Sequence, residues 1–286
     1  MAPPTASART LRISVVTYAP DAGVLGRTLA SLAEAVRHAI GSDALATADV
    51  VLIDNGPDAG ARGTVEAAAH EFRSAATGVP VRVLSGHGNV GYGAGHNLAL
   101  AGSDATFHLV LNPDVVMARD ALAQAARFME ARPDVGLLTP SVTDEAGRLQ
   151  YLCKRYPTPL VLALRGFAPR SVRSVFEATL ARYEMRDLIG DTRVVDDVPI
   201  ASGAFMFCRT SALASLNGFD PAFFLYFEDF DLSLRLARHA RIAYVPAVRI
   251  VHYGGHTARK GAAHVRMFAA SALRFFRKHG WRAPAQ

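Results

Sequence analysis

The chain has 286 residues, half of them hydrophobic and a fifth charged, with 31 Lys and Arg against 25 Asp and Glu for a net charge of +6. That balance excludes a disordered or collagen-like chain, and a chain this long can bury a large core without staples. The two cysteines, Cys153 and Cys208, exclude a disulfide scaffold; neither has a partner at zinc-ligand spacing, and a reducing compartment fits them.

Met1 to Thr10 is small and polar, lacks the apolar core of a secretory leader, and reads as a loose tail. Four short apolar runs follow, Ile13–Val16, Val50–Ile53, Val81–Leu84 and Leu109–Leu111. Their Val, Ile and Leu content predicts strands buried on both faces. Between the first two, Leu25, Leu29, Leu32 and Val36 line one helix face. The Ala-rich stretch Ala59–Thr77 is helical by composition, and Leu122, Ala125, Ala126 and Met129 repeat the helical spacing. Such alternation predicts a parallel sheet with right-handed crossovers. Past residue 142 the regularity fails. Asp144 to Gly147 reads as a turn, and residues 151–193 as a variable insertion or lid. Order returns with a strand-like Val198–Arg209. The aromatic run Phe223–Phe227 then leads into Glu228-Asp229-Phe230-Asp231, a short helical pattern with Leu232 and Leu236, and a strand-like Ile242–His252. The last pattern, Ala262–Trp281, is a helix with Val265, Phe268, Ala272 and Phe276 on one face. From Arg241 to Gln286 there are nine Lys or Arg and no Asp or Glu, so the basic character belongs to this end of the chain. No stretch reaches the roughly 18 uninterrupted apolar residues of a spanning helix.

In an open parallel sheet, ligands bind beyond the carboxyl ends of the strands. Thr17-Tyr18, Asp54-Asn55, Gly86–Asn97 and Asn112-Pro113-Asp114 stand there. Gly86, Gly88 and Gly91 spell the glycine spacing of a dinucleotide phosphate loop, but after the third strand rather than the first, and a flexible turn before a helix explains them equally. A carboxylate such as Asp114 at the end of a buried strand is costly unless paired or metal-bound, although Asn-Pro-Asp and Asp54-Asn55-Gly56 are also ordinary turns. Glu228-Asp229 fits an acidic helix N-terminus or a general base in a partly apolar setting. His252 ends an apolar strand; a lone His is usually structural, yet imidazole is the commonest metal ligand. The glycines between His252 and His256 argue against a helical zinc motif.

Taken together, these segments resemble glycosyltransferase family 2, in its rhamnosyltransferase-like branch, from about residue 11 to 256. Val15-Val16-Thr17-Tyr18 resembles the opening strand and donor turn, and Val51-Leu52-Ile53-Asp54-Asn55 the second strand, whose Asp contacts the nucleotide base in the family. Asn89-Val90-Gly91-Tyr92-Gly93-Ala94-Gly95-His96-Asn97 is similar to the branch's Asn-x-Gly-aromatic loop. Asn112-Pro113-Asp114 stands where the family has Asp-x-Asp, with Asn in place of the first acid. Gly203-Ala204-Phe205 resembles the acceptor-side strand, Phe227-Glu228-Asp229-Phe230-Asp231-Leu232 the catalytic segment, and Val251-His252-Tyr253-Gly254-Gly255 the late His-x-Gly-Gly.

The resemblance implies an α/β fold of the GT-A type, a Rossmann-like nucleotide-sugar-binding domain with a mixed, mainly parallel sheet. The expected layout is a tail over 1–10, one catalytic domain over 11–256 and a basic helix over 257–286. The domain divides into a nucleotide-sugar half, 11–115, and an acceptor half, 116–256, which carries the insertion 151–193. The implied reaction is inverting, metal-dependent hexosyl transfer. Its donor would be dTDP-L-rhamnose, with UDP-hexoses used by near relatives, and its acceptor a hydroxyl of a lipid-linked cell-surface glycan. Asp229 would be the base and Glu228 its neighbour in the site. Thr17, Tyr18, Asp54, Asn89, Gly91, Asn97 and Asn112 would bind the donor, and Asp114 and His252 would hold Mg²⁺ or Mn²⁺. No nucleic-acid partner is expected, since the positive charge is confined to one tail. That tail would bring a cytoplasmic enzyme to the inner face of the membrane, at about 1 kcal/mol per near-surface Lys or Arg; a solvated helix face packed on the domain is the plainer account. A dehydrogenase or methyltransferase using the Gly86 loop is the competing reading, and it leaves Glu228-Asp229 and His252 unexplained.

Overall fold

The computed structural model describes residues 9–254 and 261–282. Its first half is β1 (Thr10–Thr17), α1 (Ala22–Gly41), β2 (Thr47–Asp54), α2 (Ala59–Ala75), β3 (Val81–Leu84), α3 (Tyr92–Leu100) and β4 (Phe107–Leu111). Helices α1 and α2 start where short polar side chains replace the missing intrahelical acceptors: Asp21 accepts from the Val24 amide and Asp58 from the Ala61 amide, each at 2.9 Å. Leu25, Leu29, Leu32 and Val36 are buried, as their spacing predicts.

The second half is β5 (Val115–Met117), α4 (Ala121–Ala131), β6 (Val135–Thr143), α5 (Pro159–Phe167), α6 (Arg170–Val175), α7 (Glu177–Tyr183), β7 (Phe205–Arg209), α8 (Thr210–Ser215), α9 (Glu228–Leu236), β8 (Arg241–His252) and α10 (Ala262–His279). The eight strands of the described residues form one sheet in the order β3-β2-β1-β4-β7-β6-β8-β5. The first four are mutually parallel, and β6 is parallel to β8; β7 and β5 run antiparallel to their neighbours. The sheet is thus mixed and mainly parallel. Strand order reverses at β1, between β2 and β4, which opens a crevice at the carboxyl ends of these strands. The parallel register levels those ends, with Thr17 opposite Asp54.

The core has two faces. Leu109 and Leu111 of β4 join α1, α2 and α4 on one side, while Val110 joins Leu137, Met206, Leu232 and Tyr244 on the other. Beneath the crevice, the Ser14 hydroxyl lies 2.7 Å from His96 Nδ1 and 2.8 Å from His108 Nε2. Burial holds both imidazoles below their usual range, His108 at about 3. Cys153 and Cys208 are buried and free.

Several expectations need correction. Thr10 belongs to β1, so the structured chain begins within the expected tail; Met1 to Ala8 lie outside the described residues. Strands β5 and β6 have no counterpart in the sequence reading. β5 is three residues long, and β6 carries Pro140 at a register shift against β8, which interrupts its apolar run. The strand-like Val198–Arg209 contracts to Phe205–Arg209, with Ile200 making only an isolated bridge to Lys154. The insertion holds three short helices around Val161, Leu164, Leu180 and Tyr183. In α10, Val265 is exposed, because the packed face is centred on Phe268, Ala272, Phe275 and Phe276.

Candidate active site

The donor edge begins at β1 and β2. Thr17 is buried, and its hydroxyl donates to the Ile53 carbonyl at 3.2 Å, so it braces the strand ends; Tyr18 beside it is exposed. Asp54 accepts from the Gly56 amide at 2.9 Å, and a Cβ at Gly56 would lie 2.6 Å from that oxygen. Asn55 donates to the Gly91 carbonyl at 3.0 Å and faces His87 Nε2 at 3.0 Å, which ties β2 to the glycine loop. Gly91 has φ +89°, and a Cβ there would lie 2.4 Å from the Phe224 carbonyl oxygen. Only glycine permits that approach. Asn89 closes the loop by accepting from the Gly91 amide at 3.1 Å. Asn97 stands apart from the other expected donor residues. Its amide donates to the Phe219 carbonyl at 2.7 Å and accepts from the Phe219 amide at 2.9 Å, pinning the turn after α8.

Tyr92, at the start of α3, joins the halves of the site. Its hydroxyl lies 2.7 Å from Asn112 Oδ1 and 2.7 Å from the Gly203 carbonyl oxygen. Burial, and then the negative charges of Glu228, Asp229 and Asp114, push this phenol well above its ordinary range. These carboxylates, from two distant parts of the chain, thus all act electrostatically on one hydroxyl. Tyr92 was not singled out from the sequence. Its signal was the aromatic position of the loop motif, next to the glycine that touches Phe224.

Glu228 and Asp229 open α9 on a strained turn. Tyr226 and Phe227 both adopt left-handed backbone, with φ +69° and +66°. Such a conformation costs non-glycine residues of order 1–3 kcal/mol each and persists only where the surroundings over-determine it. Asp229 Oδ2 accepts from the Gly203 amide and Oδ1 from its neighbour Phe230's amide, both at 2.9 Å. Glu228 is buried, and its Oε2 has no hydrogen-bond partner. Burial pushes both carboxyls up. Burial and then the adjacent Asp229 charge bring Glu228 to about 8. At Asp229 the two amides partly offset this by favouring its charged form.

A stability effect follows. Glu228 is protonated in both folded and unfolded chains below its unfolded value of 4.5, and it costs nothing there. As pH rises from 4.5 to about 8 the unfolded chain releases this proton and the folded chain keeps it, so folding weakens progressively; above 8 the penalty is complete. Glu228→Gln is expected to raise the melting temperature relative to the unsubstituted chain at pH 9 but not at pH 5. Parallel offsets at both values would refute it.

Asp114 and His252 come together because β5 pairs with β8, with Val115 opposite His252. The Asn-Pro-Asp turn is held from beneath by the Thr28 hydroxyl, which donates to the Pro113 carbonyl at 2.8 Å. His252 Nε2 lies 3.3 Å from Asp114 Oδ1, yet Oδ1 and His252 Nδ1 are both buried without hydrogen-bond partners. A Cβ at Gly254 would lie 2.7 Å from the imidazole, so that glycine leaves room for the ring. Gly255 and His256 lie outside the described residues. An orphaned carboxylate oxygen beside an imidazole suits a divalent cation. Among the described residues no group of three or more His, Cys, Asp or Glu could hold a metal, so such an ion would need oxygens from a ligand as well.

The family described as "Glycosyltransferase like family 2" matches residues 8–278. The rhamnosyltransferase WbbL of Escherichia coli K12 is 31% identical over 181 residues, which is 60% of this chain and 64% of that protein, just under two thirds of its length. An N-acetylglucosaminyl-diphospho-decaprenol L-rhamnosyltransferase of Mycobacterium tuberculosis is 30% identical over 96% of this chain and 87% of its own. Among solved structures, the mannosyltransferase PcManGT of Pyrobaculum calidifontis, in complex with GDP-Man and Mn²⁺, superposes with a TM-score of 0.61 at 18% identity, covering 99% of this chain and 67% of that one. S. aureus TarS 1–349 in complex with UDP-GlcNAc gives 0.56 at 17% identity, over 97% and 68%.

Proposed function

The chain belongs to glycosyltransferase-like family 2, and from that premise we propose that it transfers L-rhamnose from dTDP-L-rhamnose, with inversion, to a hydroxyl of a lipid-linked glycan. The observation that carries the reading is the hydrogen-bonded run from Asp229 through Gly203 and Tyr92 to Asn112, beside Asp114 and His252. Inversion needs one displacement. The acceptor oxygen forms a bond to the anomeric carbon as the nucleoside diphosphate departs from the opposite face. Asp229 takes the acceptor proton, and its fixed amide donors keep one geometry before and after. Glu228, holding its proton, orients the acceptor as a hydrogen-bond donor. Asp54 meets the nucleotide base, and Tyr18, Asn89, Gly91 and Asn112 border the sugar diphosphate. Thr17 and Asn97 act one step back, by holding the strand ends and the Phe219 turn.

Asp114 and His252 would hold Mg²⁺ or Mn²⁺, which when bound offsets the charge of the leaving diphosphate. The donor assignment is supported by two relatives named as rhamnosyltransferases, and the acceptor assignment by the diphospho-decaprenol in one relative's name. A UDP-hexose is the second reading, favoured by the UDP-GlcNAc held by a structural neighbour. The dinucleotide-enzyme reading of the Gly86 loop gives way to the family match.

Among the described residues no helix is long and apolar enough to cross a membrane. The outer face of α10 exposes Arg266, Leu273, Arg274 and Arg277, and Trp281 just beyond its end is exposed as well. We assign it the contact with anionic lipid that a lipid-linked acceptor requires.

The test is a panel of dTDP-L-rhamnose, UDP-galactose, UDP-glucose and UDP-N-acetylglucosamine, scored by melting shift with Mg²⁺ or Mn²⁺. dTDP-L-rhamnose is expected to give the largest shift. A larger shift with any UDP-hexose replaces the donor.

A further inference from the structure

The strained turn before Glu228 has to be held by something, and most of what holds it belongs to the C-terminal helix. Asp231, in the first turn of α9, is fully buried. Its Oδ1 accepts from His279 Nε2 at 2.8 Å and lies 2.6 Å from Lys278 Nζ, both at the end of α10. Its Oδ2 accepts from Arg235 Nε at 2.7 Å, one turn further along α9. Lys278 also reaches Asp220 at 2.7 Å, so it spans the aromatic run from both sides. The Ser271 hydroxyl donates to the Leu225 carbonyl at 2.8 Å, and the Tyr226 hydroxyl lies 3.0 Å from His264 Nδ1. The Phe227 ring packs 5.2 Å from Phe268 and 5.3 Å from Phe275, centroid to centroid. Thus α10 grips Leu225, Tyr226, Phe227 and Asp231, the residues on either side of Glu228-Asp229.

We propose that α10 is a positioning element for transfer, with Lys278 and His279 acting through Asp231 to keep the Tyr226–Phe227 turn wound so that Asp229 stays aimed at the acceptor. This rests on Asp229 being the base. The physical argument is that two successive left-handed residues relax once released. Asp229 lies two residues beyond them, and its side chain is held against the segment leading into β7 by its bond to the Gly203 amide. Charge on one buried acid holds both helices at this point, so the cationic end of α10 has a function at the site beside any function at a lipid surface.

The test uses the full chain, with dTDP-L-rhamnose as donor and a short-chain alkyl diphospho-N-acetylglucosamine as acceptor. In Lys278→Met/His279→Leu, kcat is expected to fall about 10²-fold, as for a misplaced catalytic group. Donor KM should stay within about twofold, the signature of an interaction that matters only in the transition state. Hydrogen exchange over residues 225–232 should quicken while exchange in β1, β2 and β4 stays as it was. Lys278→Arg/His279→Gln should restore most of kcat. Wild-type kcat in the double variant overturns the proposal, as does unchanged exchange over 225–232. If the double variant does not fold, Ser271→Ala decides: a reduced kcat at unchanged donor KM supports the brace, and a wild-type kcat removes it. Full turnover in Asp229→Asn would sink the base assignment instead, while the exchange result would still report on whether α10 holds the turn.

Discussion

Asp229→Asn is expected to lose transfer by about 10²–10⁴-fold, the usual contribution of a positioned general base. The substitution is nearly isosteric, and the amide oxygen can still accept from Gly203 or Phe230, so the start of α9 should keep its shape. What disappears is the site for the acceptor proton. Donor affinity should be unaltered if, as proposed, Asp229 serves the acceptor; its carboxylate is bonded to the Gly203 and Phe230 amides. The measurement pairs turnover with calorimetric donor binding. A variant that binds donor normally and still turns over removes Asp229 as the base, and one that no longer binds donor shows that the two sides of the site were assigned wrongly. The pH profile of the unsubstituted enzyme carries a second mark. Burial raises the Asp229 carboxyl, so activity should fall on acidification at a pH above the usual carboxylate range. An acid limb at the value of a free aspartate would contradict this.

The second large effect is expected at the proposed cation site. Asp114→Ala is expected to weaken donor binding at least tenfold, the lower end of the range for disturbed metal sites. In the unsubstituted chain EDTA should have a comparable effect, and in the variant it should add nothing. The reason is geometric: where β5 pairs with β8, Asp114 Oδ1 and His252 Nδ1 are both buried without hydrogen-bond partners, and Ala leaves the imidazole alone. His252→Ala should behave alike, with folding intact because the ring lies at the end of β8. Calorimetry on both proteins, with and without chelator, reads this directly. Equal affinity in all four conditions would remove the cation from donor binding.

Much of the nucleotide half is legible in the sequence because strands buried on both faces leave unbroken apolar runs, and α1 and α4 leave a regular stripe. Each of those signals depends on residues close together in the chain. The acceptor half obeys a different constraint. β5 has three residues, β6 shifts its register against β8 at Pro140, and β7 gains its place from partners on both sides rather than from its own pattern. Local periodicity cannot carry that. The same division holds in the site. The expectations for Asp54, Asp114 and Asp229 rest on where they sit relative to strands and on motif order. Tyr92 could not be ranked, because its importance lies in reaching Asn112 and Gly203, the latter 111 residues away. Asn97 carried the right motif position and yet turns to the Phe219 backbone, since a motif records which residue is needed and not which neighbour needs it.

The contact between Gly91 and the carbonyl of Phe224 bears on any attempt to re-engineer the enzyme. The two segments meet without room for a methyl group, and the Tyr92 amide donates to that same carbonyl at 3.0 Å. A loop grafted over 86–97 from a homologue with another sugar preference would inherit a seam cut for its former mate. Successful chimaeras should therefore exchange 86–97 and 219–227 as a matched set, and libraries that vary only one of them will mostly sample misfits.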